Sequence, residues 1–198
     1  MVMVMKMKRT YSKNYFEKYA AMTLLSILQL SADMIIIDDC PDLRLPVLNM
    51  GIEVTQALTP KEAVADIKKA LYASGDLNPF DQKESHIPFV LQKISHAIDR
   101  KQKKSAHYKV YDCNGLYIFS HCHNLDADLL LAYFYGQRYH DLFYQQIYIN
   151  CISEVYVYHL QTQQLVSYHY QAEDLSIMNE EALAYEAISQ KERRQIIL

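Results

Sequence analysis

The sequence has no tryptophan, only four glycines and five prolines, and four widely separated cysteines among its 198 residues. So few glycine and proline breaks indicate that most of the chain forms regular secondary structure. No two cysteines form a C-x-x-C pair, so a disulfide scaffold is not indicated and free thiols in a reducing cytoplasm are the simpler interpretation. No apolar run approaches the roughly 20 residues that cross a bilayer, and no export signal is recognisable. We therefore expect a cytoplasmic protein without a membrane partner.

Several common functional motifs are also missing. The chain contains no G-x-G-x-x-G, no G-x-x-x-x-G-K-[ST] and no G-x-S-x-G segment, which argues against dinucleotide-binding, P-loop and α/β-hydrolase proteins. The net charge of -3 and the isoelectric point near 6.2 argue against attachment to nucleic acid or membrane by charge alone. An enzyme with a local basic surface remains compatible with this composition.

Hydrophobic periodicity and turn residues predict one α/β domain over residues 1–198, with flexible ends at 1–9 and 190–198. Helical spacing predicts helices over 11–30, 59–73, 89–104, 127–139 and the last twenty residues. Apolar and alternating runs predict strands or extended segments over 34–37, 43–48, 52–55, 116–121, 146–160 and 164–170. Residues 161–163 are expected to turn the last two into a hairpin. This order predicts a mixed central β-sheet flanked by helices.

The most suggestive chemistry lies in one acidic pair. Asp42 and Glu53 are separated by ten residues that include a turn near Gly51. Adjacent strands on either side of this turn would bring the two carboxylates to one edge of the sheet. Carboxylate oxygens suit Mg²⁺, which keeps several water ligands. The alternative is that Asp42 only ends a turn and Glu53 lies on the solvated face of a half-buried strand.

The stretch from Pro41-Asp42 to Gly51-Ile52-Glu53-Val54-Thr55 resembles the PD-(D/E)xK nuclease superfamily, which has the restriction-endonuclease-like fold. The order of a helix, two motif strands, a helix and a strand is similar to that fold. The resemblance implies that Asp42 and Glu53 bind Mg²⁺ or Mn²⁺. It also implies that Glu17, in the first helix, matches an additional acidic residue of many members.

The chain departs from the family pattern at Thr55, where the family has lysine. A lysine from a helix is the expected replacement, as in some relatives. Lys68 and Lys69 follow the motif, and Lys101 and Lys104 are three residues apart, which places them on one face of a helix. We predict Glu17, Lys101 and Lys104 as catalytic residues. Lys101 and Lys104 belong to a basic run that either contacts phosphates or is simply a solvated helix end.

The sequence contains residues for two other kinds of site, a zinc site and a cysteine–histidine nucleophile. His121 and His123 would share one face if their strand continues, and a zinc site would need further ligands from nearby residues. The candidates for those ligands are Cys113, Asp126 and Asp128. A cysteine–histidine nucleophile would need an orienting carboxylate, and nothing in the sequence selects such a trio.

Two classes of function follow from these patterns. The first is a metal-dependent nuclease that hydrolyses the phosphodiesters of DNA or RNA. The second is a catalytically inactive nuclease-like or unrelated α/β protein that binds a partner as a homo-oligomer. In this second class, the tyrosine-rich C-terminal hairpin would form a homodimer, because tyrosine is common at interfaces.

Overall fold

The structure, a computed structural model, describes residues 12–58, 86–122, 124–137, 139 and 141–196, with side chains as far as residue 189. The predicted helix over 59–73, with Lys68 and Lys69, lies outside the described residues. His123 and the N-terminal segment 1–9 also lie outside them. At the other end, the backbone of 190–196 continues the final helix.

Four helices are described: α1 (Lys13–Leu28), α2 (Ile87–Gln102), α3 (Ala127–Gln137) and α4 (Ala172–Ile196). Helix α1 begins two residues later than predicted, at Lys13, because the Ser12 side chain caps it by accepting a hydrogen bond from the backbone N–H of Asn14. Asp126 caps α3, because its side chain accepts from the backbone N–H groups of Asp128 and Leu129. None of the helices in this part of the chain is both long and apolar enough to span a bilayer.

The strands are β1 (Ile36–Ile37), β2 (Leu43–Leu45), β3 (Met50–Gln56), β4 (Cys113–Phe119), β5 (Gln146–Asn150), β6 (Glu154–His159) and β7 (Gln164–His169). They form one mixed sheet of seven strands in the order of the chain. The pairs β3–β4 and β4–β5 are parallel, and the other neighbours are antiparallel. Within the described residues, the predicted α/β class with a mixed sheet between helices is confirmed.

Each face of the sheet has its own hydrophobic core. Helices α1 and α4 cover one face, where Phe16 and Leu24 pack with Val54 and Phe119. Helices α2 and α3 cover the other face, where residues such as Ile94 pack with their own set of strand side chains. The alternation within β4 sends Tyr117 and Phe119 to the first core and Leu116 and Ile118 to the second.

Three predicted boundaries were wrong. Residues 146–160 are not one strand, because the chain turns at 151–153 and Ile152 has a positive φ of 71°, so β5 and β6 pair with each other. Met50 and Gly51 belong to β3 rather than to a turn, which the short helical turn Pro46–Leu48 provides instead. Strand β4 ends at Phe119, and His121 follows it in the left-handed conformation with φ 53°.

Candidate functional site

The register of the β2–β3 hairpin brings Asp42 and Glu53 together. Leu43 pairs with Ile52 in this antiparallel ladder, so Asp42, one residue before β2, stands across from Glu53. Side chains opposite each other in an antiparallel pair project to the same face. Both residues are buried, at 4% and 7% exposure. The alternative of a solvated Glu53 is therefore wrong.

Asp42 is held by contacts on both of its carboxylate oxygens. Its Oδ2 accepts a 2.7 Å hydrogen bond from the backbone N–H of Val54. Its Oδ1 lies 3.1 Å from Nζ of Lys13, in the first turn of α1. The backbone of β3 therefore orients Asp42, the acid that precedes β2.

Lys101 in the last turn of α2 joins the two acids. Its Nζ lies 2.7 Å from Glu53 Oε2 and 3.6 Å from Asp42 Oδ2. Because both contact the same nitrogen, Glu53 Oε2 and Asp42 Oδ2 lie close to each other. The end of a helix is a favourable position for a cation, because the helix dipole is negative there. Helix α2 thus supplies an ammonium group to an acidic pair on the sheet.

Glu17 is the third buried acid of this corner, at 3% exposure. Burial raises the pKa of Glu17 to about 8, and the negative charge of Asp42 adds to the effect, while the ion pair with Lys13 opposes it. Lys13 Nζ lies 3.1 Å from Glu17 Oε1. Burial lowers the pKa of Lys13, but its hydrogen bond to Asp42 and the charges of both acids outweigh this and raise the pKa overall.

We refer to Glu17, Asp42, Glu53, Lys13 and Lys101 as the charged corner. Three carboxylates face two ammonium groups here, so the charged corner has one surplus negative charge when all of its groups are ionised. In this cluster, burial first and the negative charge of Asp42 second raise the pKa of Glu17. A buried cluster with unbalanced negative charge favours the binding of a further cation or a proton.

An arginine contacts Thr55, the position at which the resembled nuclease pattern has lysine. The Arg100 guanidinium donates hydrogen bonds to Thr55 Oγ1 at 2.9 Å and to the backbone carbonyl of Gln56 at 3.1 Å. Two consecutive residues of α2 therefore reach alternate side chains of β3, because Glu53 and Thr55 share one face of the strand. Arg100 was not predicted as a site residue, and its adjacency to Lys101 was the available signal.

Lys104 is not part of the charged corner in the described part of the chain. It lies beyond the end of α2, its side chain is exposed, and no ion pair there joins it to Asp42 or Glu53. The helix ends at Gln102, so the three-residue spacing that was expected to align Lys104 with Lys101 does not continue along the helix. The catalytic role of Lys104 stays a prediction, whereas Lys101 contacts both acids directly.

Two tyrosines beside Glu53 were not predicted as site residues. Tyr108 lines the same small pocket as Glu53. Burial, followed by the charge of Glu53, raises the Tyr108 pKa to about 12. Tyr144 is only 1% exposed and borders the same small pocket as Tyr108 and Glu53. Tyr144 comes from the loop before β5, and nothing in its local sequence indicates this position.

The histidine and cysteine site is not assembled in the described residues. His121 Nε2 is 3.0 Å from the side-chain oxygen of Gln56, and Asp126 caps α3. Among these residues, no group of three or more histidine, cysteine, aspartate and glutamate side chains has an arrangement that could hold a metal ion. A cation at the charged corner would therefore have two protein carboxylates, with the remaining ligands from water or phosphate.

Comparison with known proteins gives no family assignment: no protein-family model, no curated protein and no solved structure matches this chain.

Proposed function

We propose that this protein is a divergent metal-dependent nuclease of the PD-(D/E)xK superfamily, with the restriction-endonuclease-like fold, that hydrolyses phosphodiesters of DNA or RNA. Lys101 from helix α2 takes the role of the lysine that the family has at the position of Thr55. The observation that carries the proposal is the contact of Lys101 Nζ with both Glu53 and Asp42, at 2.7 Å and 3.6 Å. An acid pair on neighbouring strands with a lysine between them is the arrangement that the resemblance implies.

The charged corner suits a hard divalent cation such as Mg²⁺ or Mn²⁺. Asp42 and Glu53 would hold it, because magnesium sites in proteins use one or two carboxylates together with waters and substrate phosphates. The raised pKa of Glu17 means that this buried cluster takes up positive charge, in the form of a proton, more readily than an ordinary carboxylate does. Such an ion polarises a phosphate and lowers the pKa of a bound water.

The residues of the charged corner have separate tasks in this proposal. Hydrolysis forms a bond from a water oxygen to phosphorus, breaks one phosphorus–oxygen ester bond, and leaves one water proton on the released alcohol. The Lys101 ammonium stabilises the negative charge that develops on the phosphoryl oxygens. Glu17 and Lys13 hold Asp42 in place through the contacts of Lys13 with both acids.

The end of α2 supports a polyanionic substrate. Arg100, Lys103 and Lys104 are exposed and follow or flank Lys101 in the chain. Arginine and lysine neutralise phosphates in nucleic-acid complexes independently of base sequence. This basic run therefore offers contacts to the phosphates on either side of the one that is cleaved.

The test combines cleavage with metal binding. Purified protein is incubated with DNA and RNA oligonucleotides in the presence and absence of Mn²⁺ or Mg²⁺. We expect metal-dependent cleavage, and we expect Glu53→Gln to lower it by about 10²–10³-fold. We also expect Mn²⁺ at about 100 times its Kd to raise the stability of the wild-type protein by about 2.7 kcal/mol, and Glu53→Gln to remove this effect.

Glu180→Gln is the matched control, because it makes the same chemical change at an exposed position of α4. It should cleave and bind Mn²⁺ like the wild type. Equal cleavage by the Glu53→Gln protein would refute the nuclease proposal.

A non-catalytic homodimer is the second candidate, and strand β7 favours it. This edge strand contains no aspartate, glutamate, lysine or arginine in Gln164–His169, and its Val166 is 40% exposed. Natural edge strands usually carry charges or other features that prevent pairing with a second chain. Light scattering should then give a dimer mass that Val166→Lys converts to a monomer. A monomer mass for the wild type at every concentration would exclude this candidate.

A further inference from the structure

A small pocket opens beside Glu53, next to the charged corner. Its volume is about 10 Å³, which is about the space that one water molecule requires. Gly51, Glu53, Tyr108, Tyr111 and Tyr144 are among the residues that line it. A Cβ atom at Gly51 would lie 2.5 Å from Cδ2 of Tyr111, so the glycine allows the tyrosine ring to close this wall.

The hydroxyl of Tyr144 lacks a hydrogen-bond partner among the described residues, although only 1% of the residue is exposed. An ordinary phenol has a pKa of about 10, so the Tyr144 hydroxyl keeps its proton at neutral pH and can act as a donor. A buried hydroxyl without a partner destabilises a protein, so a feature of this kind calls for a bound group.

Tyr144, which carries this donor, and Glu53, which carries acceptors, are both among the residues that line the pocket. Glu53 accepts a hydrogen bond from Lys101 Nζ, and the two oxygens of its carboxylate have further lone pairs that can accept. A bare phosphoryl oxygen would accept from Tyr144 but would be repelled by the carboxylate. A hydroxyl group accepts from the phenol and donates to the carboxylate, so it satisfies both sides.

We infer that this pocket binds a single hydroxyl group, which accepts a hydrogen bond from Tyr144 and donates one to Glu53. The hydroxyl belongs either to the attacking water or to the ribose of an RNA substrate, and the assignment to one of these sources rests on the proposed nuclease function. Tyr144 is a positioning residue in the first case and a sugar-specificity residue in the second.

Occupancy of the pocket is tested without activity. A crystal structure of the wild-type protein at high resolution should contain one ordered oxygen within hydrogen-bond distance of Tyr144 Oη and Glu53. The same pocket in Tyr144→Phe, which keeps the ring but removes the donor, should lose that oxygen. A well-ordered wild-type pocket without an oxygen would overturn the inference, whether or not the protein is a nuclease.

Kinetics with matched DNA and RNA oligonucleotides identify the source of the hydroxyl. If it is the attacking water, Tyr144→Phe should lower kcat about tenfold on both substrates and leave KM unchanged, because the loss of one hydrogen bond is close to the free energy of a tenfold change in rate. If it is the ribose hydroxyl, the variant should raise KM for RNA about tenfold and leave DNA cleavage unchanged.

Unchanged kcat and KM on both substrates would overturn the role of Tyr144, because a purely structural tyrosine would affect only stability. Tyr135→Phe is the control, since Tyr135 is 52% exposed on helix α3. Glu53→Gln in the same assays separates the two proposals: if it cleaves normally, the nuclease function fails, while the crystallographic result still decides whether the pocket holds a hydroxyl.

Discussion

The charged corner and a second buried polar cluster differ in how completely their groups are paired. The second cluster, the neutral network, consists of Thr23, Tyr117, Asn150 and Tyr170, all at most 6% exposed. Asn150 Nδ2 donates to the Tyr117 hydroxyl at 2.9 Å, and this hydroxyl lies 2.6 Å from Thr23 Oγ1. Thr23 in turn donates to the Ala20 carbonyl, and Tyr170 donates to the Thr23 carbonyl.

The neutral network forms a continuous chain of donors and acceptors and leaves no charge to balance. Its side chains fix α1 and the segment that follows β7 against the sheet, so its contribution is to stability and to a single packing arrangement. The charged corner has a surplus carboxylate, a glutamate with a raised pKa and a neighbouring phenol without a partner in the described chain. Perturbed groups of this kind concentrate at functional sites.

The largest expected effect comes from Lys101→Met, which removes the ammonium but keeps much of the side-chain length. We expect cleavage to fall by about 10²–10³-fold, as for the loss of one group that stabilises a developing negative charge. Steady-state cleavage of an oligonucleotide measures it, and circular dichroism checks that the protein is folded. Lys93→Met removes the same charge from a position of α2 outside the basic run and should retain activity. If both variants lose activity equally, Lys101 has no special role in cleavage.

Tyr117→Phe tests the role of the neutral network. It leaves the Asn150 amide and Thr23 without their buried partner, so we expect the free energy of unfolding to fall by about 1–3 kcal/mol. Urea denaturation gives this value. Cleavage per folded molecule should not change, and a selective loss of activity would contradict the purely structural role of the neutral network. The exposed Tyr135→Phe should alter stability by no more than about 0.5 kcal/mol.

A further prediction concerns pH and Glu17. The pKa of this carboxyl is about 8 in the folded protein and 4.5 as an ordinary value, so the folded state binds its proton more tightly than the unfolded state. The stability that this protonation provides is fully present below pH 4.5 and is lost as the pH rises to about 8. We therefore expect the wild type to lose stability over this interval.

Glu17→Gln carries no titrating proton and should lose less stability over the same interval, as measured by thermal unfolding at a series of pH values. Glu180→Gln, at an exposed site, should follow the wild type. Parallel pH profiles for wild type and Glu17→Gln would show that Glu17 is ionised as an ordinary carboxylate and that the charged corner has no electrostatic surplus.

The acidic members of the charged corner could be found from the sequence because they depend on local structure. A hairpin with ten residues between Asp42 and Glu53 leaves few possible registers. In one kind of register the two carboxylates lie close together on one face, and a shift by one residue puts them on opposite faces. Glu17 was predicted only because the family resemblance implied an additional acidic residue in the first helix. Lys13 was not predicted, since a lysine one turn before Glu17 has no signal that separates it from an ordinary surface lysine.

The sequence by itself determined the class of the fold, most helix positions and the chemical type of the acidic pair, because periodicity, caps and turn residues act over a few neighbouring residues. Only the tertiary structure decided which lysine completes the site. The helix α2 and the strand β3 are far apart in the chain, and their packing selects Lys101 for Glu53 and Arg100 for Thr55. The same packing brings Tyr144, from the loop before β5, to the pocket beside Glu53, and no local pattern specifies a contact of that range.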